Sequence, residues 1–341
     1  MRDLLLKLTR RENLTRDEAR AAFERIMSGE ADPAQMAALL MGLNCKGTPT
    51  VDEIVGAASV MRERSIRVPT PDGELVLDTC GTGGDVKHTF NISTAAALVV
   101  ASCGVKVVKH GNRSASSQSG SADVLEALGV TIDGATPHGL HRVLCDANLC
   151  FAFARSHHPA MKHVAPVRQA LGIPTLFNMI GPLTNPGRAK HQLLGVFKPE
   201  LTTLFANVLK ELGSVHAWIV HGEDGLDELS TMAPSRIVEL RDGKLTERTL
   251  DASKELGIPR AKLEDLQVTD AASSAAAIRG IFAGETGPRT DIVALNAGAA
   301  LVIAGKTCDL AAGVATARQA MTSGQAAKTL EHLRQASTTH S

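Results

Sequence analysis

Residues 81–85 of the sequence, Gly-Thr-Gly-Gly-Asp, form a glycine-dense segment directly after an apolar run at residues 75–79. Glycines let backbone N–H groups approach a phosphate closely, because they carry no side chain and adopt unusual backbone angles. A helix predicted to begin near Asn91 would add the positive partial charge of its N-terminus. The segment lacks both the Gly-Lys-Ser/Thr ending of a Walker loop and the spaced glycines of a dinucleotide-binding fingerprint. It indicates a pyrophosphate-binding loop, with a purely structural glycine turn as the alternative.

A second polar cluster follows the next apolar run, where Lys109, His110, Asn112 and Arg113 precede a serine-rich stretch at residues 116–121. Two cations and several hydroxyl groups at the end of a strand suit a second phosphate group. The alternative is a solvated basic turn whose serines cap the following helix. Two independent anion sites at neighbouring strand ends favour the phosphate interpretation.

Asp227 and Glu228 follow a third apolar run, in a stretch that begins at His221. Mg²⁺ in proteins usually takes one or two carboxylates and completes its shell with substrate phosphates and water. A carboxylate pair that faces a phosphate-binding loop therefore predicts a magnesium site, whereas an isolated Asp-Glu pair is ordinary surface charge.

Short apolar runs alternate with helical patterns from residue 75 onward, and this alternation predicts an α/β fold with a mainly parallel central sheet. Ligands of such sheets bind beyond the carboxyl ends of the strands, which is where the three clusters fall. Residues 236–250 form two alternating stretches around Asp242-Gly243 and predict an antiparallel hairpin. The alanine-rich remainder is predicted to be helical, with a frayed polar tail after Ala336.

The N-terminal region carries three helix starts, at Thr15, Asp32 and Thr50, each with a Glu or Gln three positions later. These starts predict a small N-terminal helical domain beside a larger α/β domain that includes a helical cluster. We place the first at residues 1–70 and the second at residues 71–341, with a segment near 160–190 returning to the helical domain.

The composition excludes several classes of protein. Thirty-six Lys and Arg residues balance 36 Asp and Glu residues, so no overall charge attracts nucleic acid or an anionic membrane surface. Tyr is absent and Trp218 is the single Trp, which leaves few rings for base stacking. The sequence has no membrane-spanning apolar run and no Cys-x-x-Cys pair, and its first residues lack the apolar core of a signal peptide, so none is expected. We expect a cytoplasmic protein with reduced thiols and no nucleic-acid or membrane partner.

Taken in order, these motifs resemble the anthranilate phosphoribosyltransferase family over nearly the whole chain. The matching segments are residues 81–85, 91–94, 109–113, 116–123, 157–161, 166–168, 177–178, 181–186 and 227–228. The resemblance implies a pentosyltransferase, a class of glycosyltransferase, that moves the 5-phosphoribosyl group from phosphoribosyl pyrophosphate (PRPP) to anthranilate in tryptophan biosynthesis. It also implies two Mg²⁺ ions per active site and a homodimer formed through the helical domain. An association with anthranilate synthase is a further expectation.

The resemblance also implies roles for individual residues. The PRPP-binding residues would be Gly81, Thr82, Gly83, Gly84, Asp85, Thr89, Asn91, Ser93, Thr94, Lys109 and Ser121. The anthranilate-binding residues would be Gly81, Asn112, His158, Arg168 and Pro182, and the metal ligands would be Ser93, Asp227 and Glu228. An arginine fork can hold a carboxylate by two parallel hydrogen bonds, which suits Arg168 to the carboxylate of anthranilate. No residue is expected to act as a covalent nucleophile. His110 is a candidate proton acceptor, with a purely structural histidine as the alternative, and His158 is expected mainly to shape the substrate pocket.

Four positions depart from the family pattern: Val86, Gln118, Arg155 and Pro174 stand where Gly, Lys, Pro and Arg are common. Gln118 and Pro174 each remove a positive charge, so they bear on affinity more than on the class of reaction.

Two other functions stay open at this point. A pyrimidine nucleoside phosphorylase would share the architecture but lack the pairing of the glycine loop with the Asp-Glu pair. A non-catalytic relative that binds nucleic acid would lose the metal ligands and gain a basic face.

Overall fold

The computed structural model describes residues 1–85, 87–113 and 120–340. Its central sheet has seven strands: β1 Val76–Gly81, β2 Lys106–Gly111, β3 Leu149–Phe153, β4 His191–Gly195, β5 His216–Gly222, β6 Ser235–Arg241 and β7 Lys244–Leu250. The strand order is β3-β2-β1-β4-β5-β6-β7. The first five strands in this order are parallel, and β6 and β7 extend the sheet as an antiparallel hairpin.

The predicted α/β class, the mainly parallel sheet and the hairpin at residues 236–250 are confirmed. Asp242 and Gly243 both have left-handed backbone angles (φ 50° and 76°), as a tight two-residue hairpin turn requires. Because β1 to β5 run in parallel, their last residues lie along one edge of the sheet, called the carboxyl edge below. These residues are Gly81, Gly111, Phe153, Gly195 and Gly222.

Helices cover the sheet and form the N-terminal region. In chain order they are α1 Arg2–Thr9, α2 Arg16–Ser28, α3 Pro33–Cys45, α4 Val51–Glu63, α5 Ile92–Ser102, α6 Ser121–Ala127, α7 Pro137–Ala147, α8 Ala154–His157, α9 Ala165–Leu171, α10 Leu176–Ile180, α11 Glu200–Glu211, α12 Ala252–Leu256, α13 Leu263–Leu266, α14 Ala271–Phe282, α15 Pro288–Ile303, α16 Leu310–Thr322 and α17 Gln325–Thr339. Two short 3₁₀ helices are Pro159–His163 and Gly181–Leu183. No helix in the described ranges is both long and apolar enough to cross a membrane.

The three predicted N-terminal helices begin where the sequence indicates. Thr15 and Thr50 each form a reciprocal capping box with the Glu three residues later. Asp32 differs, because its carboxylate accepts a hydrogen bond from the N–H of Ala34 and Gln35 completes no box. Helix α1 begins without a side-chain cap and was not predicted from the sequence.

Two apolar cores flank the sheet. The first lies between the sheet and the helices α5, α7 and α14 to α17. The second joins the other face of the sheet and α11 to the N-terminal helices. The segment that contains α9 and α10 packs in this second core, where the ring centroids of Phe23 and Phe177 lie 5.4 Å apart. The segment is thus in contact with the N-terminal helices, and the domain boundary near residue 70 stays a prediction.

A buried ion pair joins the turns of the N-terminal region. Glu53 of α4 is fully buried and accepts hydrogen bonds from the N–H groups of Leu14 at 2.9 Å and Thr50 at 2.8 Å. Its carboxylate also pairs with the ammonium of Lys46 at 2.9 Å, and both side chains are almost completely shielded from solvent. One carboxylate thereby fixes the turn before α2 and the turn before α4.

Lys46→Met should lower the free energy of unfolding by about 3 kcal/mol, because it leaves a buried carboxylate without its counter-charge. Urea unfolding followed by circular dichroism measures the change. Arg10→Met, which breaks an exposed pair with Glu12, is the matched control and should cost less than about 1 kcal/mol. Equal costs for the two variants would contradict the stabilising role of the buried pair.

Candidate active site

The glycine loop at residues 81–85 is held against Asp227, from the stretch that follows β5. The N–H of Gly83 donates to Oδ2 of Asp227 at 2.9 Å. A Cβ atom on Gly81 would lie 2.5 Å from that same Oδ2, and one on Gly195 would lie 1.6 Å from the carbonyl oxygen of Asp227. Glycine is required at both strand ends because a side chain would prevent Asp227 from reaching the loop.

Lys109, near the end of β2, links the N-terminus of α5 to β1. Its side chain is almost fully buried and donates to the carbonyl oxygen of Thr79 and, at 3.2 Å, to the hydroxyl of Ser93. Burial lowers the pKa of Lys109, and the charge of Asp78 opposes that shift. Thr94, in the first turn of α5, has a buried hydroxyl with no hydrogen-bond partner among the described residues. An ammonium group and an unpaired hydroxyl at a helix N-terminus suit a phosphate.

Asp227 and Glu228 keep some contact with solvent, yet protein atoms crowd their carboxylates. Desolvation raises the pKa of Asp227, and the negative charge of Asp85 adds to that effect. Desolvation and then the charge of Asp227 raise the pKa of Glu228, while Lys109 and a hydrogen bond from the backbone of Ser93 oppose the rise. The site gathers negative charge that a bound cation would neutralise.

The predicted metal ligands Ser93, Asp227 and Glu228 lie close together, since the backbone of Ser93 bonds to Glu228 and Asp227 is the preceding residue, and they fit Mg²⁺. Crowded carboxylates and a serine hydroxyl supply the oxygen ligands that this ion takes. Across the described ranges, no three His, Cys, Asp or Glu side chains are grouped closely enough to hold a metal ion by themselves. A carboxylate pair that leaves positions for substrate phosphates is the arrangement expected for magnesium.

His110 and His158 form a buried pair of rings at the carboxyl edge. Their Nε2 atoms lie 3.2 Å apart, so one ring donates and the other accepts when both are neutral. Burial holds the pKa of His110 well below its ordinary value, and the neighbouring His158 adds to this. Burial also lowers the pKa of His158 to about 4. Both rings are thus neutral near pH 7, and a neutral imidazole is able to accept a proton.

Ser121 and Asn112 pack against the end of β2. The hydroxyl of Ser121 donates to the carbonyl oxygen of Asn112 at 3.5 Å, and a Cβ atom on Gly111 would lie 2.2 Å from this hydroxyl. Arg113, a predicted phosphate-binding cation, pairs instead with three acidic residues, which are Asp123, Glu126 and Asp133. The charge of Arg113 is engaged within the protein, which argues against a direct phosphate contact.

Pro182 and Arg168 belong to the segment that packs on the N-terminal helices. The carbonyl oxygen of Pro182 accepts from the side-chain amide of Gln192 at 3.1 Å, so Pro182 lies against β4. Arg168, on α9, donates to Oδ1 of Asn178 at 3.2 Å and lies 5.6 Å from the ring centroid of Phe177. The structure thus places Pro182 against the sheet and Arg168 against α10.

Two of the four departures lie in the described ranges. Arg155 is exposed on α8. The carbonyl oxygen of Pro174 accepts from the side-chain amide of Asn44 at 2.7 Å, which ties Pro174 to α3. Val86 and Gln118 lie outside the described residues.

Asp78 and Asn185 are buried residues whose role was not predicted from the sequence. Asn185 donates to Asp78 at 2.8 Å and to the carbonyl oxygen of Val108 at 2.7 Å. The other oxygen of Asp78 accepts from the N–H of His110 at 3.2 Å. The two residues fix the end of β2, which carries Lys109 and His110, against β1. The available signal was a charged residue inside an otherwise apolar strand.

The chain matches known proteins over almost its full length. Residues 2–65 match the helical bundle domain of the glycosyl transferase family, and residues 73–327 match its a/b domain. The anthranilate phosphoribosyltransferase of Thioalkalivibrio sulfidiphilus is 51% identical over 333 residues, which cover 98% of this chain and 97% of that protein. The chain belongs to the anthranilate phosphoribosyltransferase family.

Solved structures of anthranilate phosphoribosyltransferases have the same fold. The crystal structure of the Thermus thermophilus enzyme gives a TM-score of 0.91 at 44% identity, covering 98% of this chain and 99% of that one. The Saccharomyces cerevisiae enzyme in complex with PRPP and Mg gives a TM-score of 0.90 at 26% identity, covering 99% of this chain and 97% of that one. The family resemblance of the sequence motifs is confirmed.

Proposed function

We propose that this protein transfers the 5-phosphoribosyl group of PRPP to the amine of anthranilate, giving N-(5-phosphoribosyl)anthranilate and pyrophosphate in tryptophan biosynthesis. The contact between the Asp227 carboxylate and the glycine loop carries the proposal. It joins an anion-binding loop to a cation-binding carboxylate pair, and transfer from a pyrophosphate donor needs both. Family membership supports the same activity.

Mg²⁺ is the implied cofactor, and we propose two ions per active site. Ser93 would hold one ion, and Asp227 and Glu228 would hold the other. When bound, the ions would neutralise negative charge on the departing pyrophosphate. The PRPP itself would be held by Gly81, Thr82, Gly83, Gly84, Asp85, Thr89, Asn91, Ser93, Thr94, Lys109 and Ser121.

Departure of pyrophosphate from C1 of the ribose is the difficult step, because an aromatic amine carries an available lone pair and needs no strong base before it attacks. The loop N–H groups and the ammonium of Lys109 would stabilise the charge that builds on the leaving oxygen. The rest of the rate enhancement would come from holding the amine in line with C1. The new C1–N bond forms as the C1–O bond breaks, so no covalent intermediate with the protein is proposed.

The amine loses a proton as the bond forms, and His110 is the proposed acceptor. Its ring is neutral because burial lowers its pKa. Together with Gly81, the residues Asn112, His158, Arg168 and Pro182 would form the anthranilate site, in which Arg168 would bind the carboxylate.

His158→Ala should raise KM for anthranilate about tenfold and leave kcat within about twofold, because it removes a pocket wall but not the proposed proton acceptor. Steady-state kinetics with saturating PRPP measure both constants. His138→Ala, at an exposed histidine on α7, is the control and should match the wild type. A large fall in kcat at constant KM would assign the proton transfer to His158 instead.

The proposed function is tested by the loss of anthranilate fluorescence when purified protein, PRPP and Mg²⁺ are combined. Turnover that EDTA abolishes would support the reaction and its metal requirement together. Phosphorolysis of uridine or thymidine without Mg²⁺ would favour a nucleoside phosphorylase instead. Salt-sensitive DNA binding without turnover would favour a non-catalytic relative.

We propose a homodimer formed through the helical domain at residues 1–70, an α/β domain at residues 71–341, and a cytoplasmic location. Light scattering on the purified protein measures the oligomeric state. Co-purification with anthranilate synthase tests the proposed association with that enzyme.

A further inference from the structure

A short backbone pairing outside the central sheet supports the chain between the glycine loop and α5. The N–H of Phe90 donates to the carbonyl oxygen of Leu266 at 2.9 Å. The N–H of Val268 donates to the carbonyl oxygen of His88 at 3.0 Å. Thr89 and Gln267 form the antiparallel bridge between these two bonds. The segment that carries the proposed PRPP ligands Thr89 and Asn91 is therefore positioned by residues much later in the chain.

Ser274, on α14, also holds this segment in place through contacts with Asn91. It is fully buried. Its hydroxyl accepts from the backbone N–H of Asn91 at 3.0 Å and donates to Oδ1 of Asn91 at 3.0 Å. A serine hydroxyl has one proton to donate, and here that proton engages the oxygen of the Asn91 side chain.

This contact fixes which end of the Asn91 amide can meet a ligand. Asn91 stands directly before α5, and its side chain makes no capping bond to that helix. Phosphate oxygens accept hydrogen bonds, and Nδ2 is the one donor atom of the asparagine side chain. Because Oδ1 accepts from Ser274, the amide is held with Nδ2, which carries two protons, on its other side, whereas a flipped amide would present oxygen to a phosphate oxygen.

We propose that Ser274 is a positioning residue for PRPP, acting through the orientation of Asn91; this inference rests on the proposed function. Ser274 is itself fixed independently of the loop. Its backbone N–H donates to the carbonyl oxygen of Asp270 at 3.1 Å. Arg289 of α15 donates to the carbonyl oxygens of Asp265 at 2.9 Å and Gln267 at 3.2 Å, which holds the supporting segment in place.

Ser274→Ala should raise KM for PRPP about tenfold, because it removes the buried hydroxyl that makes both hydrogen bonds to Asn91, and leave kcat and KM for anthranilate within about twofold. Ser273→Ala is the matched control. It removes the neighbouring hydroxyl of the same helix, which bonds to Asp270 and not to Asn91, so its constants should equal those of the wild type.

A double-mutant cycle separates positioning from a general structural role. If Ser274 acts through Asn91, then Ser274→Ala should raise KM for PRPP little further in an Asn91→Ala background. Asn91→Asp keeps an oxygen for Ser274 but removes the donor, so it should raise KM for PRPP selectively. This variant tests the argument even if Ser274→Ala does not fold.

Wild-type protein without turnover would overturn the proposed function and is distinguishable from failure of this inference. With an active wild type, three results would overturn the role of Ser274. They are an unchanged KM for PRPP in Ser274→Ala or in Asn91→Asp, an equal rise in KM for both substrates, and additive effects in the double-mutant cycle.

Discussion

Asp227→Asn combined with Glu228→Gln should lower kcat/KM by about 10³-fold without lowering the melting temperature. The loss of activity follows because the variant removes the charge that would bind the cation opposite the leaving group. The melting temperature should not fall, because desolvation and like charge raise the pKa values of both carboxylates. The ionised pair therefore disfavours the folded state. Neutral amides of the same shape remove that repulsion, and the amide oxygen introduced at position 227 could still accept from the N–H of Gly83.

Anthranilate fluorescence and a thermal melt measure the two effects on the same preparation. Glu223→Gln neutralises an exposed carboxylate in the same stretch and should change neither property. A double variant that retains more than about a tenth of the wild-type activity would contradict the metal assignment. A clear fall in melting temperature would contradict the argument from charge crowding.

Gly195→Ala should destabilise the protein by about 3 kcal/mol and lower activity about 10²-fold. The added methyl group would lie 1.6 Å from the carbonyl oxygen of Asp227, a backbone atom that moves only with its chain segment. That movement would draw the Asp227 carboxylate away from Gly83. Urea unfolding and the turnover assay measure the two losses.

Gly181→Ala is the control for stability, since no atom lies within 4 Å of the added Cβ and the backbone angle there suits alanine. This variant should be as stable as the wild type or slightly more stable. Unfolding of Gly195→Ala and Gly181→Ala at the same urea concentration would contradict a steric clash at position 195.

The position of the site in the fold could be predicted from the sequence, because local patterns determine it. The apolar runs before Gly81, Lys109 and Asp227 predict parallel strands, and parallel strands place their carboxyl ends at one edge. The contacts within the site could not be predicted in this way. Gly83 and Asp227 meet although 144 residues separate them, and no local propensity encodes that approach.

Two differences between the expectations from the sequence and the structure have the same origin. Arg113 resembles a phosphate-binding cation in the sequence, but tertiary packing brings three carboxylates to it. The polar composition after Ala336 predicts a frayed tail, yet α17 continues to Thr339. Ser337 is buried there and its hydroxyl accepts from the N–H of Thr131 at 3.0 Å. Such bonds to distant elements outweigh the polar composition of a segment.

The two outer strands of the sheet bear on how copies of this chain can associate. β3 is buried along its whole length and packs against α7, so its free edge is covered. β7 is exposed, but it presents charged side chains, among them Lys244, Glu247 and Arg248. Covered or charged edge strands discourage the joining of sheets from separate molecules. The protein is thus protected against edge-to-edge aggregation, and an ordered assembly is expected to use its helical surfaces.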